Sequence, residues 1–135
     1  MRTLSLMFTT KAMWLASLVT AINVLVASGF SIAGLISPQS MLPAGAAPSE
    51  ASALFAMYAA ARTLPLALTT LAAIYTRATS ALLILGALAG VIQLLDAGVG
   101  LFQHDAGKFA GPLFIAALQF SVVALLKRSV RSPRG

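Results

Sequence analysis

With 135 residues, of which 59% are hydrophobic and 9% charged, the chain is too apolar for a water-soluble domain. Soluble domains carry about 25% charged and about 45–50% apolar residues, so here lipid has to be the solvent for most of the surface. The net charge of +6 comes with no cysteine, one histidine and three carboxylates, which excludes disulfides and thiolate sites and leaves little for any metal or other cofactor.

Four apolar runs follow in chain order, at about 12–36, 51–75, 80–102 and 108–128. A hydrocarbon core of ~30 Å needs about 20 helical residues, and the first three runs meet that length. The fourth opens at Gly111-Pro112, which reads as a proline in the first helical turn, with Lys108-Phe109-Ala110 extending it through the interface. Between the runs lie a Pro- and Gly-rich loop from Ser37 to Pro48, a tight turn at 76–79, and a third loop at 103–107. The expectation is an all-α, integral membrane four-helix bundle of antiparallel up-down topology. It forms a single membrane domain over 1–135 that ends in a basic tail at 129–135. Arg2 and Lys11 before an apolar run also resemble a signal peptide, with Val26-Ala27-Ser28 as a cleavage site. The run continues to Ile36 without a polar break, which favours a retained first helix.

Four spans put the N-terminus, the second loop and the C-terminus on one side, together with Arg2, Lys11, Arg77, Lys127, Arg128, Arg131 and Arg134. Lys108, Glu50, Asp105 and His104 fall on the other. The positive-inside bias therefore predicts both termini in the cytoplasm and a multi-pass protein of the inner (plasma) membrane. The basic residues are topology determinants, and no nucleic-acid partner is expected; the bilayer itself is the first partner.

Charges inside the spans cost about 2.5–3.5 kcal/mol each on insertion scales, so Arg62 and Asp96 stand out. At ~1.5 Å per residue, Arg62 lies roughly 15 Å and Asp96 roughly 9 Å from the non-cytoplasmic side, with Gln93 at about 13 Å. The arginine side chain leans toward its helix N-terminus, which predicts that it meets Asp96 and Gln93. Tyr58 and Thr69 flank Arg62 at helical spacing, Gln119 lies in the fourth helix and Asn23 near mid-membrane in the first. The expectation is a polar pocket of Arg62, Gln93, Asp96, Tyr58, Gln119 and Asn23, opening toward His104 and Asp105. The blander reading makes Arg62 and Asp96 a structural ion pair, and Asn23 and Gln119 interhelical hydrogen-bonders. In the third run Gly86, Ala89, Gly90, Gln93, Ala97 and Gly100 form a small-residue packing stripe. Ile84, Leu88, Val91, Ile92, Leu95 and Val99 should then face lipid. Pro65 predicts a kink in the second helix.

There is no phosphate-cradling glycine loop, no His-x-x-His or Glu-x-x-His pair, and no carboxylate in the first helix of the kind small multidrug exporters use. The segments SIAGLISPQSMLPAG, YAARTLPLAL and GVIQLLDAGVG give the chain an arrangement that resembles the DoxX-like and related small four-helix bacterial membrane proteins. The resemblance implies an inner-membrane bundle and carries over no catalytic residue. Three functions fit the residues. The first is binding of a small apolar or amphipathic, lipid-like ligand, or service as an accessory subunit, as a homodimer or within a larger membrane complex. The second is a membrane-embedded enzyme with Asp96 as general acid or base, Arg62 tuning it and Tyr58 donating a proton. The third is a proton-coupled transporter acting as a dimer.

Overall fold

A computed structural model describes residues 2–43 and 45–131, with side chains from residue 10 onward. Among these residues the chain forms four α-helices and one short 3₁₀ turn: α1 (Arg2–Ile36), η1 (Pro38–Met41), α2 (Glu50–Tyr75), α3 (Thr79–Phe102) and α4 (Ala106–Arg131). All four helices are long and apolar enough to cross a membrane, and the protein is a multi-pass membrane bundle. The last four residues of the basic tail lie outside the described residues. The helix itself continues to Arg131, three residues beyond the expected end at 128.

Local chemistry fixes the ends. Ser49 caps α2 reciprocally with Ser52: the Ser52 amide donates to Ser49 Oγ (3.2 Å) and the Ser49 amide to Ser52 Oγ (2.9 Å). Asp105 caps α4 by accepting the amides of Gly107 (3.0 Å) and Lys108 (3.1 Å) at Oδ1. That cap starts α4 at Ala106, so Pro112 lies inside the helix rather than in its first turn. α1 begins ten residues before the expected position, because helix and apolar span need not coincide. Both tight turns close through a residue in the left-handed region, Arg77 and His104, each with φ 52°. The following amides return to Ala73 O (2.9 Å) and Gly100 O (3.1 Å), a helix-ending pattern usually built with glycine. α2 runs through Pro65 without interruption of the helix.

α3 and α4 pack along most of their length, α1 packs on α2 and α4, and α2 meets α3 only slightly. The α3–α4 seam is made by absent side chains. A Cβ on Gly90 would stand 2.9 Å from the Phe120 ring, and one on Gly86 2.9 Å from Val123 Cγ2. At Gly100 it would run into the backbone of Lys108. The Lys108 carbonyl has lost its helical donor to Pro112, and Gly100 lets the chain of α3 come up against it. Leu82, Gly86, Ala89, Gly90, Gln93, Ala97 and Gly100 are the buried residues of α3, the stripe that the spacing predicts. Its outward residues are exposed, except Ile92, which is partly buried. At the other end Ala16, Leu82, Val122 and Leu126 form the apolar core where α1, α3 and α4 meet.

Three glycine substitutions should separate these packings. Gly100→Ala meets immovable backbone and should cost at least as much as ordinary overpacking, about 1–3 kcal/mol. Gly90→Ala meets a ring that can swing and should cost less. Gly98→Ala has open space and should be neutral or stabilising by up to about 1 kcal/mol through helix propensity. Thermal unfolding in one detergent ranks all three.

Candidate functional site

Two polar arrangements occupy the apolar bundle. The first is a chain of buried side chains. Gln93 Nε2 donates to Asn23 Oδ1 (2.6 Å), Asn23 Nδ2 donates to Gln119 Oε1 (3.1 Å), and Gln119 Nε2 donates to Thr20 Oγ1 (2.8 Å). All four residues are buried, Thr20 and Gln119 completely. The chain runs from α3 to α1 to α4 and back to α1. Thr20 and Asn23 stand three apart on one helix face. Gly86, with no side chain, leaves room for the Gln119 amide. No buried side-chain nitrogen or oxygen is left without a partner among the described residues.

The second is a crevice of about 1180 Å³ on the side where α2 and α3 stand apart. Its α3 wall runs from Ala89 to Gln103, roughly 21 Å at the helical rise. Most of the lining is apolar, including Val24, Phe30, Phe55, Leu66 and Ile115. Asn23 and Gln93 reach it from the amide chain, and Ser31, Thr63 and Asp96 line its length. Ser28, Thr69 and Thr70 turn their hydroxyls back onto their own helix carbonyls, a common habit of such residues in membrane helices. Ser31 and Thr63 make no hydrogen bond among the described residues and keep theirs for the crevice. At the open end Lys108 Nζ donates to Gln103 Oε1 (2.9 Å) and Met41 O (3.4 Å), and lies 3.8 Å from Asp105 Oδ2. This clasp ties η1 to the α3–α4 turn.

Several expectations are corrected by this geometry. Arg62 and Asp96 do not pair. Asp96 lines the crevice, whereas Arg62 is exposed on the flank of α2 with its guanidinium 5.9 Å from the Tyr58 ring centroid. The depth of the two groups is compatible, but the helix turns about 100° per residue. Thr63 therefore takes the crevice face and Arg62 does not. Tyr58 is exposed beside it, and Thr69 donates to Pro65 O (2.8 Å) instead of joining a cluster. Gln119 is sealed inside the amide chain and does not line the crevice. Asn23 and Gln93 do both. The open end is lined by Gln103 and Lys108, not by His104 or Asp105. Ile92 and Val99, read as lipid-facing, line the crevice as well.

Comparison with family models, with curated proteins and with solved structures finds no match.

The groups assigned to acid–base chemistry thus do not converge, since Tyr58 and Arg62 meet each other outside the crevice that Asp96 lines. Among the described residues no cluster of three His, Cys, Asp or Glu side chains could hold a metal. Sequence reasoning missed Thr20, Ser31, Thr63 and the Lys108 clasp. Thr20 could have been found from its spacing to Asn23; the clasp depends on how the first loop folds and leaves no periodic signal.

Gln119→Leu should test the amide chain, because it strands Asn23 Nδ2 and the Thr20 hydroxyl in a dry interior. A loss of about 1 kcal/mol in unfolding free energy is expected, near the upper part of the range for polar contacts between membrane helices. Ser121→Ala, which removes an exposed bond to its own helix, should change stability little in the same assay.

Proposed function

We propose that the chain binds an amphipathic, lipid-like molecule in the crevice between α2 and α3. The observation that carries this reading is the combination of long apolar walls with polar groups at fixed levels along them. Small-molecule pockets occupy about 300–1,000 Å³ and are mostly apolar with a few convergent polar groups. The crevice is larger than that range and extended along the bilayer normal, a shape suited to an amphiphile with a long apolar body. Ser31, Thr63 and Gln93 are placed to meet hydrogen-bonding atoms of such a ligand, and Lys108 and Gln103 flank the end where its head would emerge. The scant contact between α2 and α3 offers a side opening through which a molecule dissolved in the bilayer could enter without crossing water.

In this reading the helices alternate in direction across the inner membrane, with both termini in the cytoplasm. Lys11, Arg77, Lys127, Arg128 and Arg131 then fall on the cytoplasmic side and the open end of the crevice faces away from it, as the positive-inside bias favours.

Purification in mild detergent followed by lipid extraction and mass spectrometry tests the proposal. A bound amphiphile at near-stoichiometric amount is expected. Ala59→Trp, which puts a large ring into the crevice, should lose it. Gln93→Leu should weaken it roughly fivefold to tenfold, the value of one hydrogen bond. An empty protein, or equal retention by Ala59→Trp, contradicts the reading. A stoichiometric protein companion without lipid would favour an accessory subunit instead.

A further inference from the structure

Arg62 is twelve residues from the first residue of α2 and thirteen from the last, so roughly 18–20 Å of helix separates it from either end. Its side chain cannot bring a guanidinium to water across that distance, although it can lean part of the way toward the N-terminal end. Contact with the Tyr58 ring supplies about 0.5–2 kcal/mol, less than the about 2.5–3.5 kcal/mol that insertion of the charge costs. The arginine therefore needs an anion at the same level. Asp96 is exposed, and among the described residues it makes no hydrogen bond or ion pair. It lies six residues, roughly 9 Å, from the end of α3, and the backward lean of Arg62 brings the two charges toward one level.

Within one chain the two are not paired: Arg62 is rotated off the crevice face that Asp96 lines and turns to Tyr58 instead. They are nevertheless the only charged residues in the interior of the spans among the described residues, one of each sign. We infer that two copies of this chain pair along α2 and α3, each lending its Arg62 to the Asp96 of the other. A twofold axis along the bilayer normal repeats any contact reciprocally, so one arrangement neutralises both charges of both copies and preserves their depths. No separate acidic partner is required.

The surface of α2 agrees. Only 11% of its apolar window is buried, against 33% for α3, so it is the helix with most surface left to cover. Around Arg62 its exposed residues include the small or polar Ala61, Pro65, Thr69 and Ala72 beside the larger Leu54, Tyr58 and Leu68, a mixed surface with knobs and hollows for another helix. A helix that faces only acyl chains has no use for a charge on that face. The pairing does not depend on the ligand assigned to the crevice; the partner's α2 would cover the side opening between α2 and α3, so a ligand enters from the bilayer before the copies pair.

The absence of native cysteine makes cross-linking clean. Chains carrying Arg62→Cys and chains carrying Asp96→Cys, with different tags, are coexpressed and oxidised in native membranes. A doubly tagged dimer is expected at roughly tenfold the yield from cells that pair Arg62→Cys chains with chains carrying Phe114→Cys on the exposed surface of α4. A mixed yield no higher than that control overturns the inference, as does a chain bearing both cysteines that closes only on itself. Charge exchange covers the case in which cysteine variants fold poorly. By single-molecule counting in lipid, Arg62→Asp should reduce the dimer fraction at least roughly tenfold. The double variant Arg62→Asp with Asp96→Arg should restore it to within about twofold. A double variant no better than the single one also refutes the pairing. Lipid retention measured on the same samples keeps the two proposals apart: loss of dimer with lipid still bound leaves the crevice reading intact, and dimer without lipid leaves the pairing intact.

Discussion

The side-chain chain Gln93–Asn23–Gln119–Thr20 is the constraint on which the arrangement of helices depends. In hydrocarbon, apolar surfaces gain nothing by leaving lipid for one another, so helix association rests on close packing and on polar contacts that have no other partner. Asn23 and Gln119 both donate and accept, Gln93 donates at one end and Thr20 accepts at the other, and each bond crosses between helices. The geometry is met only when α1, α3 and α4 stand in one register. α2 contributes no member to this chain. It is held against α1 by small buried residues such as Ala60 and Ala67, and nothing pulls it onto α3. The crevice is the space that results.

Close approach along the α3–α4 seam supports the same register. Gly86 makes room for the Gln119 amide and Gly90 for the Phe120 ring, while Gly100 accommodates the carbonyl that Pro112 leaves without a helical donor. The packing is least yielding at Gly100, where backbone meets backbone; at Gly86 and Gly90 side chains fill the space. η1 is tied to the α3–α4 turn by one lysine, whose bonds to Gln103 and Met41 border the end of the crevice.

The spans were legible because apolar length is a one-dimensional property of sequence, and the buried stripe of α3 was legible because small residues recur at its period. Helix starts were less so: Asp105 caps α4 from outside the apolar run, and α1 continues well before its own. The Arg62–Asp96 contact illustrates a different limit. Spacing gives the depth of a residue, whereas azimuth depends on how each helix is rotated by its neighbours, and a one-residue step turns a side chain about 100°. Asn23 and Gln119 could be read as interhelical hydrogen-bonders, but nothing in their positions says which amides would join. The loop geometry behind the Lys108 clasp has no pattern to read.

A double-mutant cycle between α1 and α3 tests the central claim most directly. Asn23→Leu, Gln93→Leu and the double variant are unfolded reversibly in the same detergent. If the amide chain sets the register, the double variant should lose less stability than the sum of the single ones, with a coupling of about 0.6–1.7 kcal/mol. Additive losses within about 0.3 kcal/mol would contradict the account, because the two amides would then contribute independently of the bond between them.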